Sequence, residues 1–127
     1  MSTFAYKDET YTVIETIKSD SYFSYYKCQN TLSKNLVIIE KINKPMLKAE
    51  LNKLPINDID ELFNGYIDAY KREINLLKET DNLNILKGID FIEEQNQIIL
   101  IKEFANMNLK DYIKKKKKKK LKKNLRI

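Results

Sequence analysis

Polar and apolar positions alternate along YTVIETIKS (Tyr11 to Ser19), a β-branched stretch that predicts a strand. The aromatic-rich YFSYYKCQN (Tyr22 to Asn30) predicts a second strand. NLVIIEKIN (Asn35 to Asn43) is the most apolar of the three and predicts a central one. The links between them are short, which favours an antiparallel meander. Pro45 ends this region, and MLKAELNKL (Met46 to Leu54) predicts a brief helix that Pro55 interrupts. From about Asp58 to Glu79 the apolar spacing changes to three and four. Ile59, Leu62, Phe63, Tyr66, Tyr70, Ile74 and Leu77 then form the stripe of a longer helix, with Asp58 or Asn57 as its N-cap. Gly65 inside it costs about 1 kcal/mol relative to alanine, so the first turns are expected to fray or start later. ILKGIDFIE (Ile85 to Glu93) and QIILIKEF (Gln97 to Phe104) predict two further strands around EEQN, and NLKDYI (Asn108 to Ile113) starts a helix. The expected order is βββαββ: an α+β fold with a five-stranded antiparallel sheet and one main helix, behind a polar lead over residues 1–10.

At 127 residues and 43% apolar composition the chain has room for one domain with a modest core. It has no histidine and a single cysteine, Cys28. An intrachain disulfide is therefore impossible, and no metal site is expected from so few soft or imidazole ligands. The opening MSTFAYKDE shows no basic stretch followed by an apolar one, and no apolar run approaches the ~20 residues of a membrane span. These features read as an intracellular chain, cytoplasmic or nuclear, without a transmembrane segment. The net charge of +6 is unevenly placed. KKKKKKKLKKNLRI (Lys114 to Ile127) carries nine lysines and one arginine, which leaves 14 basic residues against 18 acids, about −4, in residues 1–113. Such a body lacks the broad basic face of a nucleic-acid-binding domain.

The order of elements, together with particular words, resembles the small N-terminal lobe of the eukaryotic protein kinases, and the serine/threonine branch more than the tyrosine branch. REINLLKETDNLNILKGIDFIEEQNQIILIKEFANMNLKDYI (Arg72 to Ile113) looks like the family's regulatory helix with its glutamate, the H-P-N-I-L turn, two strands, the hinge and the next helix. Asn82 and Leu83 stand where that turn has His and Pro. YTVIETI and YYKC resemble the first two strands, and LVIIEKINK the third. The likeness covers residues 11–113, with an insertion over residues 45–57 before the main helix.

What the resemblance implies fails at several positions. The phosphate loop needs glycine so that backbone amides can approach the oxygens, but Lys18, Asp20 and Phe23 occupy the three glycine places of KSDSYFSY. An ordinary β-turn between two strands is the plainer reading of that stretch. Ile17, Tyr25, Ile38, Lys102, Glu103 and Ala105 fall at nucleotide-pocket positions, Tyr25 replacing an apolar valine and Lys102 an apolar gatekeeper. Glu40 takes the place of the third-strand lysine, and Glu73 fits the helix glutamate. Lys41 follows Glu40, and alternation along a strand points it to the opposite face unless a bulge turns it inward. Two carboxylates facing one another repel. Lys102 either neutralises Glu40, Glu73 or both, or runs outward along the strand.

The family's H-R-D catalytic loop and D-F-G metal site do not follow Ile113, so the C-lobe is absent from this sequence. The expectation is a truncated kinase-like domain, inactive as written. ATP and magnesium are implied by the family only, and no cofactor is expected for this chain. A non-catalytic interaction module that binds a protein partner through the lower face of the lobe is the alternative, as is a shortened active kinase. Lys114 to Lys120 can be read as an import signal, an anchor to anionic lipid, or a weak nucleic-acid contact. Truncation of a longer reading frame, or a natural fragment, is favoured over these.

Overall fold

The computed structural model describes residues 2–55, 57–79, 86–104 and 109–114, and for 77–79 and 86–88 the backbone alone. Six strands build one antiparallel sheet: β1 (Thr3–Tyr6), β2 (Glu9–Ser19), β3 (Phe23–Asn30), β4 (Leu36–Asn43), β5 (Leu86–Glu93) and β6 (Gln97–Phe104). Their spatial order is β1-β2-β3-β4-β6-β5, so the first four strands form a meander and β6 pairs with β4. Helices α1 (Lys44–Leu51) and α2 (Ile59–Glu79) connect β4 to β5, and residues 109–114 are helical. The fold is α+β.

The sheet has one strand more than the five that the sequence pattern predicts. Residues taken for a polar lead supply β1 and the start of β2. Lys7 and Asp8, with φ of 48° and 66°, form the two-residue turn between them. Positive φ at both central positions matches the right-handed twist of a hairpin, but the sequence has no glycine or asparagine there to announce it. The helices also differ in detail. Pro45 lies within the first turn of α1 rather than ending the strand region. Proline suits that place because its missing N–H would have no partner there. Asn43, the last residue of β4, caps α1 by accepting from Met46 N at 3.1 Å.

Helix α2 starts at Ile59 and not later, and Asp58 accepts from the backbone N–H of Glu61 at 3.0 Å. The helix continues unbroken through Gly65. Its inward face carries Phe63, Ile67, Tyr70 and Ile74; Ile67, outside the expected stripe, is buried, while Tyr66, placed in it, sits at the rim and is 38% exposed. Leu77, also assigned to the stripe, has a side chain outside the described residues.

Both sheet faces are buried. Even-numbered β4 and β6 residues face α2: Ile42, Ile98 and Leu47 of α1 pack with Ile67 in one cluster, and Ile38 and Phe104 with Leu109 and Ile113 in another. The opposite face encloses Tyr11, Cys28, Val37, Ile39, Ile99 and Ile101. Two bulges in β2, after Val13 and after Thr16, bend that strand across the sheet. The second sets Ile17 against the Ile38 cluster with Lys18 beside it. Glu93 at the end of β5 joins both helices to the sheet, with Lys44 at 3.1 Å and Lys71 at 2.7 Å.

Candidate functional site

Strand β4 lies between β3 and β6, and Glu40 sits at its middle. Tyr25 of β3 is its partner across one ladder and Leu100 of β6 across the other, while Lys102 pairs with Ile38. Glu40 and Lys102 are thus diagonal neighbours on the face that meets α2, within reach of a lysine stem. Lys102 Nζ lies 2.7 Å from Glu40 Oε1, and the two residues are 5% and 3% exposed. Of the two readings for Lys102, the structure adopts the one in which it meets Glu40.

Two tyrosines complete the cluster. Tyr112, from the 109–114 helix, accepts from Lys102 Nζ at 2.8 Å and donates to Glu40 Oε1 at 3.1 Å. Tyr70 of α2 donates to Glu40 Oε2 at 3.1 Å. A buried ion pair is tolerable only when its remaining lone pairs and protons are satisfied. Here both carboxylate oxygens and the ammonium have partners, and among the described residues no buried side-chain N or O lacks one. Burial first, and the Glu40 charge second, push the Tyr70 and Tyr112 hydroxyls far above the usual phenol range. Tyr25 moves the same way for the same causes. These phenols stay neutral and keep their protons for hydrogen bonding.

Sequence reasoning passed over both hydroxyls. It assigned Tyr70 only to an apolar stripe and gave Tyr112 no role. The available signal was the spacing Leu109, Tyr112, Ile113, one apolar face of a short helix with a single polar tip.

Lys41 takes the opposite face, as strand alternation requires. Its Nζ lies 3.8 Å from the centre of the Phe4 ring and 5.7 Å from that of Tyr6, both on β1. Burial lowers its pKa from the ordinary lysine value. The β4 register runs without a shift from Leu36 to Ile42 against β3 and from Val37 to Asn43 against β6, so no bulge brings Lys41 inward.

The residues at phosphate-loop places form a tight hairpin end. Asp20 N donates to Phe23 O at 2.7 Å, and Lys18 pairs with Asp20 at 3.1 Å. None of the three has positive φ. With Glu40, Glu73, Tyr66 and Tyr70 they border a cleft of about 300 Å³ beside α2. Among the described residues its lining cations are Lys18 and Lys102, and both already serve carboxylates. The cleft therefore offers a triphosphate no unengaged ammonium group among the described residues.

Ile17, Tyr25 and Ile38, the apolar pocket positions, do come together. They meet Phe104, Leu109, Ile113 and Tyr112, so the chain's own 109–114 helix fills the space in front of them. The Glu103 side chain points away from them and accepts from Asn35 Nδ2 at 2.8 Å. Ala105, the Asn82–Leu83 turn and Lys115 to Lys120 lie outside the described residues. Among the described residues no group of three His, Cys, Asp or Glu side chains is placed to hold a metal ion, and no helix is long and apolar enough to cross a membrane. No protein-family profile matches this sequence.

Proposed function

We propose that this chain is a protein-kinase-like N-lobe whose nucleotide site is disabled, and that it acts without catalysis. The family role would be ATP-dependent protein phosphorylation. The observation that carries the reading is Glu40: a carboxylate sits at the centre of the sheet where the resemblance calls for a lysine, and it is already bonded to Lys102, Tyr70 and Tyr112. The order of β2, β3, β4, α2, β5 and β6 is compatible with the expected βββαββ plan. Glu73 on α2 borders the same cleft as Glu40, in keeping with the helix-glutamate assignment. An α- or β-phosphate entering there would meet negative charge and, among the described residues, no cation that is not already paired.

A non-catalytic module that engages a protein partner follows from this reading. Thermal-shift titration of the full chain with Mg-ATP tests it. No change in Tm up to millimolar nucleotide is expected, and stabilisation at micromolar nucleotide would overturn the proposal in favour of a working kinase pocket.

A further inference from the structure

The open cleft beside α2 has bonding capacity that its own residues leave unused. Three carboxylates border it, Asp20, Glu40 and Glu73, against two ammonium groups, and Lys18 and Lys102 are taken by Asp20 and Glu40. Glu73 is the remainder. Exposed on α2, it has neither an ion pair nor a hydrogen bond among the described residues. Most donors of the lining are also engaged. Lys102 donates to Glu40 and Tyr112, Tyr70 donates to Glu40, and the Tyr22 and Tyr66 hydroxyls share a hydrogen bond. What stays open is chiefly acceptor capacity: both oxygens of Glu73 and lone pairs on the phenol oxygens. Burial first, and Glu73 among the lesser causes, raise the Tyr66 and Tyr70 hydroxyls above the usual phenol range, in keeping with a Glu73 charge directed over the same cleft. Ile74, Leu100 and Phe23 add an apolar wall.

We propose that this cleft binds a small primary amine in its ammonium form, with Glu73 as the counter-ion. A primary ammonium carries one positive charge and three N–H donors and accepts nothing, which is the complement of what the lining leaves open. Its hydrogen bonds to a carboxylate are charge-assisted. Tyrosine rings favour a cation in the same space, and a short alkyl stem fits against Ile74 and Leu100. The walls come from β3, β4, β6 and α2 and leave about 300 Å³, room for a short free amine rather than for a lysine with its backbone. A neutral alcohol of the same length brings no charge to Glu73. A fully methylated ammonium brings the charge without a donor, and an anion meets Glu73 as a like charge. The site rests on this lining and does not depend on the kinase-like reading.

Titration of the full chain with n-butylammonium chloride at low ionic strength tests it, followed by amide NMR shifts and set beside n-butanol and tetramethylammonium chloride. Butylammonium should approach saturation at about 10 mM and move the amides of Tyr22, Phe23, Tyr66, Tyr70 and Glu73. The other two probes should bind at least about tenfold more weakly. Glu73→Gln removes the counter-ion from an exposed position, so the variant should keep its Tm and lose about tenfold in affinity for butylammonium. Equal binding of butylammonium and tetramethylammonium, shifts confined to other residues, no saturation at several times that concentration, or an affinity unchanged in Glu73→Gln overturns the site. Nα-acetyl-lysine methylamide binding more tightly than butylammonium overturns its assignment to a free amine. Mg-ATP titrated into a parallel sample keeps the two readings apart: tight nucleotide binding removes the disabled pocket, and the amine probes alone decide this site.

Discussion

Lys102 and Glu40 meet diagonally across the β4–β6 ladder, ammonium to carboxylate at 2.7 Å, with both side chains more than nine-tenths buried. Removing one member strands the other as an unpaired charge in the interior. Lys102→Met is therefore expected to lower stability by about 3–5 kcal/mol, read from the urea midpoint. Adding Glu40→Gln should recover much of that loss. It removes the stranded charge, its amide oxygen still accepts from one of the two tyrosines, and its amide N–H donates to the hydroxyl oxygen of the other. A double variant no more stable than Lys102→Met would show that the two charges are not coupled.

Lys41, one residue along, provides the contrast. It lies over the Phe4 ring on the far face and is only half-buried, so Lys41→Met should cost no more than about 1 kcal/mol. If Lys41→Met proved the costlier of the two lysine substitutions, the facing of β4 described here would be wrong.

Much of this arrangement could be read before any coordinates. The strand alternation in VIIEKINK sends Glu40 one way and Lys41 the other, because a strand's side chains have a period of two. Five of the six strands and both longer helices follow from apolar period alone. The missed pieces depend on contacts that have no local signature. Strand β1 is four residues long and enters by a Lys-Asp turn, so it becomes visible only when β2 is there to pair with it. The bulges of β2 leave its alternation looking regular while moving Ile17 and Lys18 to the α2 side. Ile67 is buried and Tyr66 is left at the rim because the sheet, and not the helix, decides which arc is covered. Tyr112 belongs to the site through bonds to residues 10 and 72 positions away, a separation that spacing rules do not reach.

Alkaline pH should be a selective stress. The folded-state pKa values of Tyr25, Tyr70 and Tyr112 are raised above the usual phenol value near 10. Their contribution is whole below that pH and is lost as pH climbs from there toward the folded values. Each phenol that ionises only on unfolding adds about 1.4 kcal/mol per pH unit to the slope. Urea midpoints measured from pH 8 to 11.5 should be level up to about pH 9.5 and then fall steeply. Tyr112→Phe should start lower and fall less steeply, since one such proton is gone.

Gly65 lies inside α2, without positive φ, and a Cβ built on it would meet nothing within 4 Å. Alanine should fit there without strain and gain about 0.5–1 kcal/mol through helix propensity. A Tm unchanged or lowered by Gly65→Ala would mean that something covers that face of the helix in solution.

Cys28 is wholly buried on the β1 side of the sheet, and burial pushes its thiol up to about 12. Reaction needs the thiolate and a path to it. Labelling with a disulfide reagent at pH 8 should proceed only as fast as the sheet opens, and should become immediate in denaturant. Prompt labelling of the native chain would contradict this packing.

Asn43 ends a strand and caps a helix at once, so no spacer separates β4 from α1. The rotational phase of the helix is therefore geared to the strand's count of residues. An insertion of one residue at this joint would turn α1 by about 100° and swing Leu47 away from the cluster that holds Ile42, Ile98 and Ile67. Lengths on the two sides of Asn43 cannot drift independently, and a change on one side demands a matching change on the other.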